Sequence, residues 1–321
     1  MHIVHILALT KTVKFFNLNK MKQLLFFAKM PTAIIFASLV IFASCKKDNN
    51  TNPPGNPDPQ LTVDAAQNDD VAEQQFNDVF NISMGVQASD AGDDIGLGTG
   101  TNIVYRSDNT EKTASPEDRC FTVTVDPKGP NTFPKTVTLD FGSGCTGKDG
   151  KMRSGKIITV FSGPMRVAGS IATSTFDNYK VDSFSIAGTQ IISNTSSSNK
   201  QAWTRKVVDG KITNNNSGRW VQWNAIHEHT QTDGNGTPFN LLDDVYKITG
   251  NSNGINSNNN SWTTEITQPL IRKFVCAWRE QGQITLTLKS NSITAILDYG
   301  DGTCDNKATI TINGVTIPVI L

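Results

Sequence analysis

Two histidines stand two residues apart in His227-Glu228-His229, within a run of alternating polar and apolar residues. Residues two apart on a strand share a face. The pair can therefore offer two imidazole nitrogens to zinc or copper, with a third ligand from elsewhere. Thr230 and Gln231 beside them fit a plainer reading, a half-solvated strand face carrying polar side chains. Asp298, Asp301 and Asp305 cluster among glycines and are candidate calcium ligands, as are Asp93 and Asp94. The twelve-residue EF-hand spacing with its terminal Glu is not met, and turn chemistry accounts equally well for Asp and Gly there. The reading is that the chain needs no cofactor, with Zn2+ or Ca2+ at these residues as the alternative.

Catalytic patterns are weaker. Gly250-Asn251-Ser252-Asn253-Gly254 spells a G-x-S-x-G nucleophile elbow, which needs a strand before it, a helix after it and a later histidine. An Asn/Ser-rich loop is expected to follow instead, and no histidine lies beyond His229. Glu228, Glu265 and Glu280 have no context that pairs them as a glycosidase dyad. Trp203, Trp220, Trp223, Trp262 and Trp278 all fall in expected strands, where they either pack a core or stack sugars on an exposed face. Trp220 and Trp223 are three apart and point to opposite faces, which argues against one shared platform.

The cysteines say more. Lys22 and Lys29 precede an apolar run, residues 33–42, that ends in Phe42-Ala43-Ser44-Cys45. About ten apolar residues are too few to span a bilayer, which takes about twenty, but they fit a secretory leader. Small residues directly before the cysteine resemble a bacterial lipobox. This predicts cleavage before Cys45 and lipid attachment to it, with residues 1–44 as signal peptide and Met21 as the true start. An acylated cysteine with two or three chains anchors stably. Residues 45–60, with four prolines and four asparagines between positions 49 and 60, read as a disordered tether. Four cysteines remain, and an even count in an exported chain predicts two disulfides among three possible pairings. Cys120–Cys145 and Cys276–Cys304 are favoured, because each pair flanks one expected hairpin.

The formal net charge of zero hides an asymmetry. Residues 1–44 hold five lysines and no acids, so the remainder carries 24 basic and 29 acidic groups. A mildly acidic domain without a basic tract argues against a nucleic-acid partner. Residues 64–80 read as the only helix, capped by Asp64, with Ala65, Ala72, Phe76, Val79 and Phe80 on one stripe and Asp69, Asp70 and Glu73 near its positive end. Residues 89–101 are rich in glycine and aspartate and read as a loop. Beyond position 102 the pattern has period two, with β-branched residues and a turn signal every 8 to 15 positions, including strands at 245–249 and 272–278. The expected fold is all-β: a large antiparallel meander, sandwiched or strongly curved, over residues 61–321, with the one N-terminal helix. Val137-Thr138-Leu139-Asp140-Phe141-Gly142 is echoed by Ala295-Ile296-Leu297-Asp298-Tyr299-Gly300, each leading to a cysteine and then Asp-x-Lys. The echo suggests two related halves, about 61–200 and 201–321.

Taken together, the lipobox, the Asn/Pro tether, the acidic helix, Leu139-Asp140-Phe141-Gly142-Ser143-Gly144-Cys145 and Asp298-Tyr299-Gly300-Asp301-Gly302-Thr303-Cys304 resemble a family of Bacteroidetes-type secreted lipoproteins. That resemblance implies a cell-envelope address, in the outer membrane facing the periplasm or the surface, and no activity. The expectation is a lipid-anchored protein that binds or builds rather than catalyses. A glycan or protein ligand, a lipid on a curved sheet, and glycoside or ester hydrolysis are the alternatives.

Overall fold

The computed structural model describes residues 59–86, 95–96, 119–147, 149–197, 200–236, 243–276 and 278–321, and the backbone of 102–104 and 112–114. Cys45, the leader, residues 45–58 of the tether, Asp93 and Asp94 lie outside the described residues. So does most of the expected loop at 89–101.

The helix α1 (Pro59–Ser83) begins five residues before its expected start. Pro59 suits a first turn, where its missing N–H costs nothing and its φ is already helical. Asp64 is therefore not a cap. It sits in the second turn and accepts a hydrogen bond from Gln60 Nε2 at 2.7 Å. Residues 59 and 60 belong to this helix rather than to the tether.

The rest is sheet. A short pair, β1 (Asn102–Val104) and β2 (Lys112–Ala114), stands apart. The main sheet has fourteen antiparallel strands: β3 (Thr122–Asp126), β4 (Lys135–Asp140), β5 (Cys145–Thr146), β6 (Met152–Phe161), β7 (Ile171–Val181), β8 (Phe184–Asn194), β9 (Ala202–Asn214), β10 (Trp220–Asp233), β11 (Val245–Asn256), β12 (Ser261–Lys273), β13 (Gln281–Leu288), β14 (Thr294–Asp301), β15 (Lys307–Ile312) and β16 (Val315–Ile320). From β6 to β16 each strand pairs with the next in sequence, and β4 and β3 continue the sheet beyond β6. No break falls near residue 200, where β8 and β9 pair from Asn194↔Trp203 onward.

The sheet curls because its strands carry bulges that bend them and increase their twist. Gly250 (φ 127°) sits where the β11 register shifts between Ile248 and Asn251. A Cβ there would collide with the carbonyl oxygen of Ile226 on β10. Gly188 (φ 108°) plays the same part between Ala187 and Thr189 on β8. Curling brings distant strands to one helix. Phe76 stacks on Trp223 of β10 and meets Phe176 of β7 edge-on, Phe80 stacks on Trp203 of β9, and Gln67 Nε2 donates to the carbonyl of Ile320 on β16 at 2.9 Å. The architecture is one strongly curved sheet with α1 on its inner face.

Several strands run longer than the residues suggested. β11 continues through the Asn, Ser and Gly positions 250–256 that read as loop, because Ser252, Gly254 and Asn256 point inward and are buried. β12 ends at Lys273, and Trp278 lies in irregular backbone before β13, not in a strand.

Candidate binding cleft

The inner face beneath α1 is polar to an unusual degree. Asp69 Oδ1 accepts from Trp223 Nε1 at 2.8 Å, Trp262 Nε1 at 3.1 Å and Ser252 Oγ at 2.5 Å. Glu73 is bound by Arg205, and its Oε2 lies 3.2 Å from His227 Nδ1 and 3.4 Å from Arg279 Nη2. Burial alone would raise the Glu73 carboxyl. Arg205, His227 and Arg279 overcome it and hold the group well below the usual carboxylate range. Asp70 is served less well. Burial pushes it up to about 6 although Arg279 pulls the other way. At the far end of α1, Arg153 grips Asp78 through Nη2 at 2.7 Å and Nε at 3.2 Å, and Lys151 Nζ adds a contact at 2.8 Å. These pairs outweigh the burial that would raise Asp78, so its carboxyl is lowered.

This core is where the predicted metal histidines go. His227 and His229 share a face as expected, but that face is buried under α1 rather than half-solvated. His227 contacts Arg205 and Glu73, and His229 stacks on Trp203 with centroids 5.5 Å apart. Burial drives the His229 imidazole well below its ordinary pKa, with Arg205 adding to the effect. Asp298, Asp301 and Asp305 are not brought together around a common point. Asp298 accepts from Gly300 N and Gln283 Nε2, Asp301 from Thr303 Oγ1, and Asp305 from Lys307 N. Each organises its own turn. Among the described residues no group of three His, Cys, Asp or Glu side chains is placed to hold a metal. The elbow-like Ser252 is sealed in the core between Asp69 and Thr264. Trp223 and Trp262 are packing residues. The cysteines pair as Cys120–Cys145 and Cys276–Cys304, with Cα atoms 5.6 and 5.8 Å apart.

The groups that face solvent together lie at one open end of the sheet, which no single motif announced. A cleft of about 390 Å³ opens between the first turns of α1 and the ends of β8 to β11. Asp64, Gln67, Asn68 and Val71 of α1 line one side, at helical i, i+3, i+4, i+7 spacing. Phe184, Ile212 and Val221 supply apolar surface. The opposite wall is two Asn-rich turns. Asn214 Oδ1 takes the backbone N–H groups of Asn216 (3.0 Å) and Ser217 (3.2 Å), and Asn256 Oδ1 takes those of Asn258 (3.0 Å) and Asn260 (3.1 Å). Two further bonds staple the turns to the sheet, Asn215 N to Ser183 O at 2.8 Å and Ser257 N to Trp220 O at 2.9 Å. With both amide oxygens committed to the turns, Asn214 and Asn256 have only N–H donors left to offer a guest. Arg219 adds a guanidinium, and Asp64 is the one carboxylate in the lining.

The signal for this cleft was present as two Asn clusters, 214–216 and 256–260, one strand pair apart. Their adjacency becomes visible only once β10 and β11 are paired. No protein-family model, curated protein or solved structure matches this chain.

Proposed function

We propose that this chain is a lipid-anchored, non-catalytic binding protein of the cell envelope, and that it holds a saccharide in the cleft at the open end of its sheet. The anchoring half rests on Cys45 and the leader before it, in line with the lipoproteins the sequence resembles. The binding half rests on one observation: a cleft with apolar surface from Phe184, Ile212 and Val221 and walls of planar amide side chains pre-set by turn hydrogen bonds. Sugars present C–H patches and close-set hydroxyls, which such a surface matches. At about 390 Å³ the cleft falls toward the lower end of the roughly 300–1,000 Å³ of small-ligand sites. A glycosidase needs two carboxyl groups about 5–9.5 Å apart, and only Asp64 lines this cleft. The lipid-handling alternative needs an apolar hollow on the inner face of the sheet, whereas that face carries α1 and its ion pairs.

The test is a glycan array probed with the whole mature chain, followed by calorimetric titration of the best glycan. Asn68→Ala and Arg219→Ala, both outside the core, are expected to weaken binding at least tenfold while leaving Tm within a degree or two. An array with no retained glycan, or binding that both substitutions leave intact, overturns the reading.

A further inference from the structure

The cleft has two unlike walls. On the turn wall the amide oxygens are saturated, because Asn214 Oδ1 and Asn256 Oδ1 each take two backbone N–H groups and an amide oxygen has two lone pairs. The side chains there keep N–H donors: the amide nitrogens of Asn214 and Asn256, the Arg219 guanidinium and the Trp220 indole, the last two of which can only donate. The helix wall has the opposite balance. The Asp64 carboxylate can only accept, and takes one bond from Gln60. Gln67 has directed an amide N–H to the Ile320 carbonyl, and its side-chain oxygen has no partner among the described residues.

Charge follows the same division. Arg219 is exposed on the turn wall, and Lys211 Nζ lies 5.3 Å from the ring centroid of Trp220, a lining residue. Among the described residues neither cation is paired with a carboxylate. Residues 45–321 carry 24 basic and 29 acidic groups, so two unpaired cations beside one cleft are a local reversal of sign. Lys211 also covers one face of the indole, which leaves Trp220 less ring surface on which to stack a sugar.

A neutral sugar brings hydroxyls that both donate and accept, and the division between the walls does not favour it. A carboxylate only accepts, carries the complementary charge and pairs a guanidinium in plane. On a uronate it stands at one edge of the ring, and hydroxyls at other edges can donate to Asp64 and Gln67. Resting on the saccharide reading, we propose that the cleft selects a uronate, with its carboxylate on the Arg219 side and its hydroxyls toward α1.

The test is an array of uronate oligosaccharides (galacturonate, mannuronate and glucuronate chains), each printed beside its methyl ester, with sulfated and neutral chains added. The ester keeps the ring and hydroxyls but removes the charge. Titration of the whole mature chain is expected to favour one acid over its ester about tenfold, the scale of one charge-assisted hydrogen bond. That ratio should shrink between about 0.05 and about 0.5 M NaCl, and should fall close to one in Arg219→Gln. Lys211→Gln should lower it by less. Esters or neutral glycans held as tightly as the acids overturn this proposal and leave the saccharide reading standing. Retention of sulfated chains without uronates overturns the carboxylate, and a ratio that survives Arg219→Gln overturns its placement. An array with nothing retained overturns both readings.

Discussion

The two cystine hairpins share a sequence ending and its turn hydrogen bonds but not a chemistry. In β3–β4, Asp140 Oδ1 accepts from Gly142 N at 2.8 Å. In β13–β14, Asp298 Oδ1 accepts from Gly300 N at 2.9 Å. Past each cysteine, Asp149 Oδ1 takes Lys151 N and Asp305 Oδ1 takes Lys307 N. Val137 and Leu139 in one hairpin, Ala295 and Leu297 in the other, all point inward. The difference is one residue later. Phe141 lies among rings, 4.9 Å from Phe121 and 5.6 Å from Tyr179, whereas the matching Tyr299 hydroxyl accepts from buried Arg279. Arg279 in turn faces Asp70 and Glu73 near the middle of α1, while the first hairpin's neighbour Arg153 takes Asp78 further along. A repeated scaffold thus pins one helix at two places, with the electrostatics tuned separately at each.

If the hairpins are equivalent as scaffolds, their disulfides contribute alike. The loops span 25 and 28 residues, and loop-closure entropy grows only logarithmically with length, giving about 3.5 kcal/mol for each. Replacing either pair by alanines is expected to lower urea stability by similar amounts, up to that figure. A loss of more than about 2 kcal/mol from one pair beside almost none from the other would show that the hairpins are not interchangeable staples.

Both pairings were readable in the sequence because each is local: one cysteine on either side of one alternating hairpin. The all-β meander was readable for the same reason, since period-two burial needs no knowledge of distant partners. What failed was anything decided across the sheet. Asp69, Asp70 and Glu73 read as acids near the positive end of a helix, with nothing to say that they are buried, because Trp223, Trp262, Arg205 and Arg279 meet them from positions 132 to 209 residues away. One clue was there. These acids lie on the same helical stripe as Ala65, Ala66, Ala72 and Phe76, and an apolar stripe interrupted by carboxylates calls for buried cations opposite. The histidines' shared face was also correct, but its burial depended on where α1 docks. Asn and Ser at 250–256 passed for loop because their composition outweighed their alternation.

Asp70 and Asp78, one at each pinning point, should answer pH with opposite signs. Asp78 is lowered by Arg153 and Lys151 against burial, so its contribution is present above the ordinary value of 3.8 and is lost as pH falls through the folded pKa. Asp70 is raised by burial to about 6. The native state then binds its proton more tightly than the unfolded chain does, and stability falls as pH rises from about 4 to 6. A shift of about two units corresponds to about 3 kcal/mol as an upper figure, given the coupling to Arg279. Urea midpoints measured from pH 3 to 8 should show Asp70→Asn gaining on the wild type as pH rises. Asp78→Asn should lose ground over the acid end of the range and then run parallel. Taking each difference against the wild type removes the contribution of His229, whose lowered pKa acts with the opposite sign to that of Asp70. Parallel curves for Asp70→Asn throughout would mean that its carboxyl is better compensated than the geometry indicates.

The smallest expected effect isolates the single oxygen that separates the hairpins. Tyr299→Phe keeps the ring and its packing but removes the acceptor that Arg279 Nη1 uses, leaving that nitrogen with Asp70 Oδ1 at 3.7 Å, beyond good hydrogen-bond range. Loss of about 1–2 kcal/mol is expected, the usual cost of stranding one buried donor. The reciprocal change, Phe141→Tyr, puts a hydroxyl among the rings of Phe121 and Tyr179 and should also destabilise, because a buried phenol gains nothing without a partner. Combining the two exchanges the residues between equivalent positions. Their penalties should add, since the sites lie in hairpins with no shared partner. Should Tyr299→Phe prove neutral in urea titration, Arg279 is held by its carboxylates alone, and the two hairpins differ in sequence without differing in what they do for the helix.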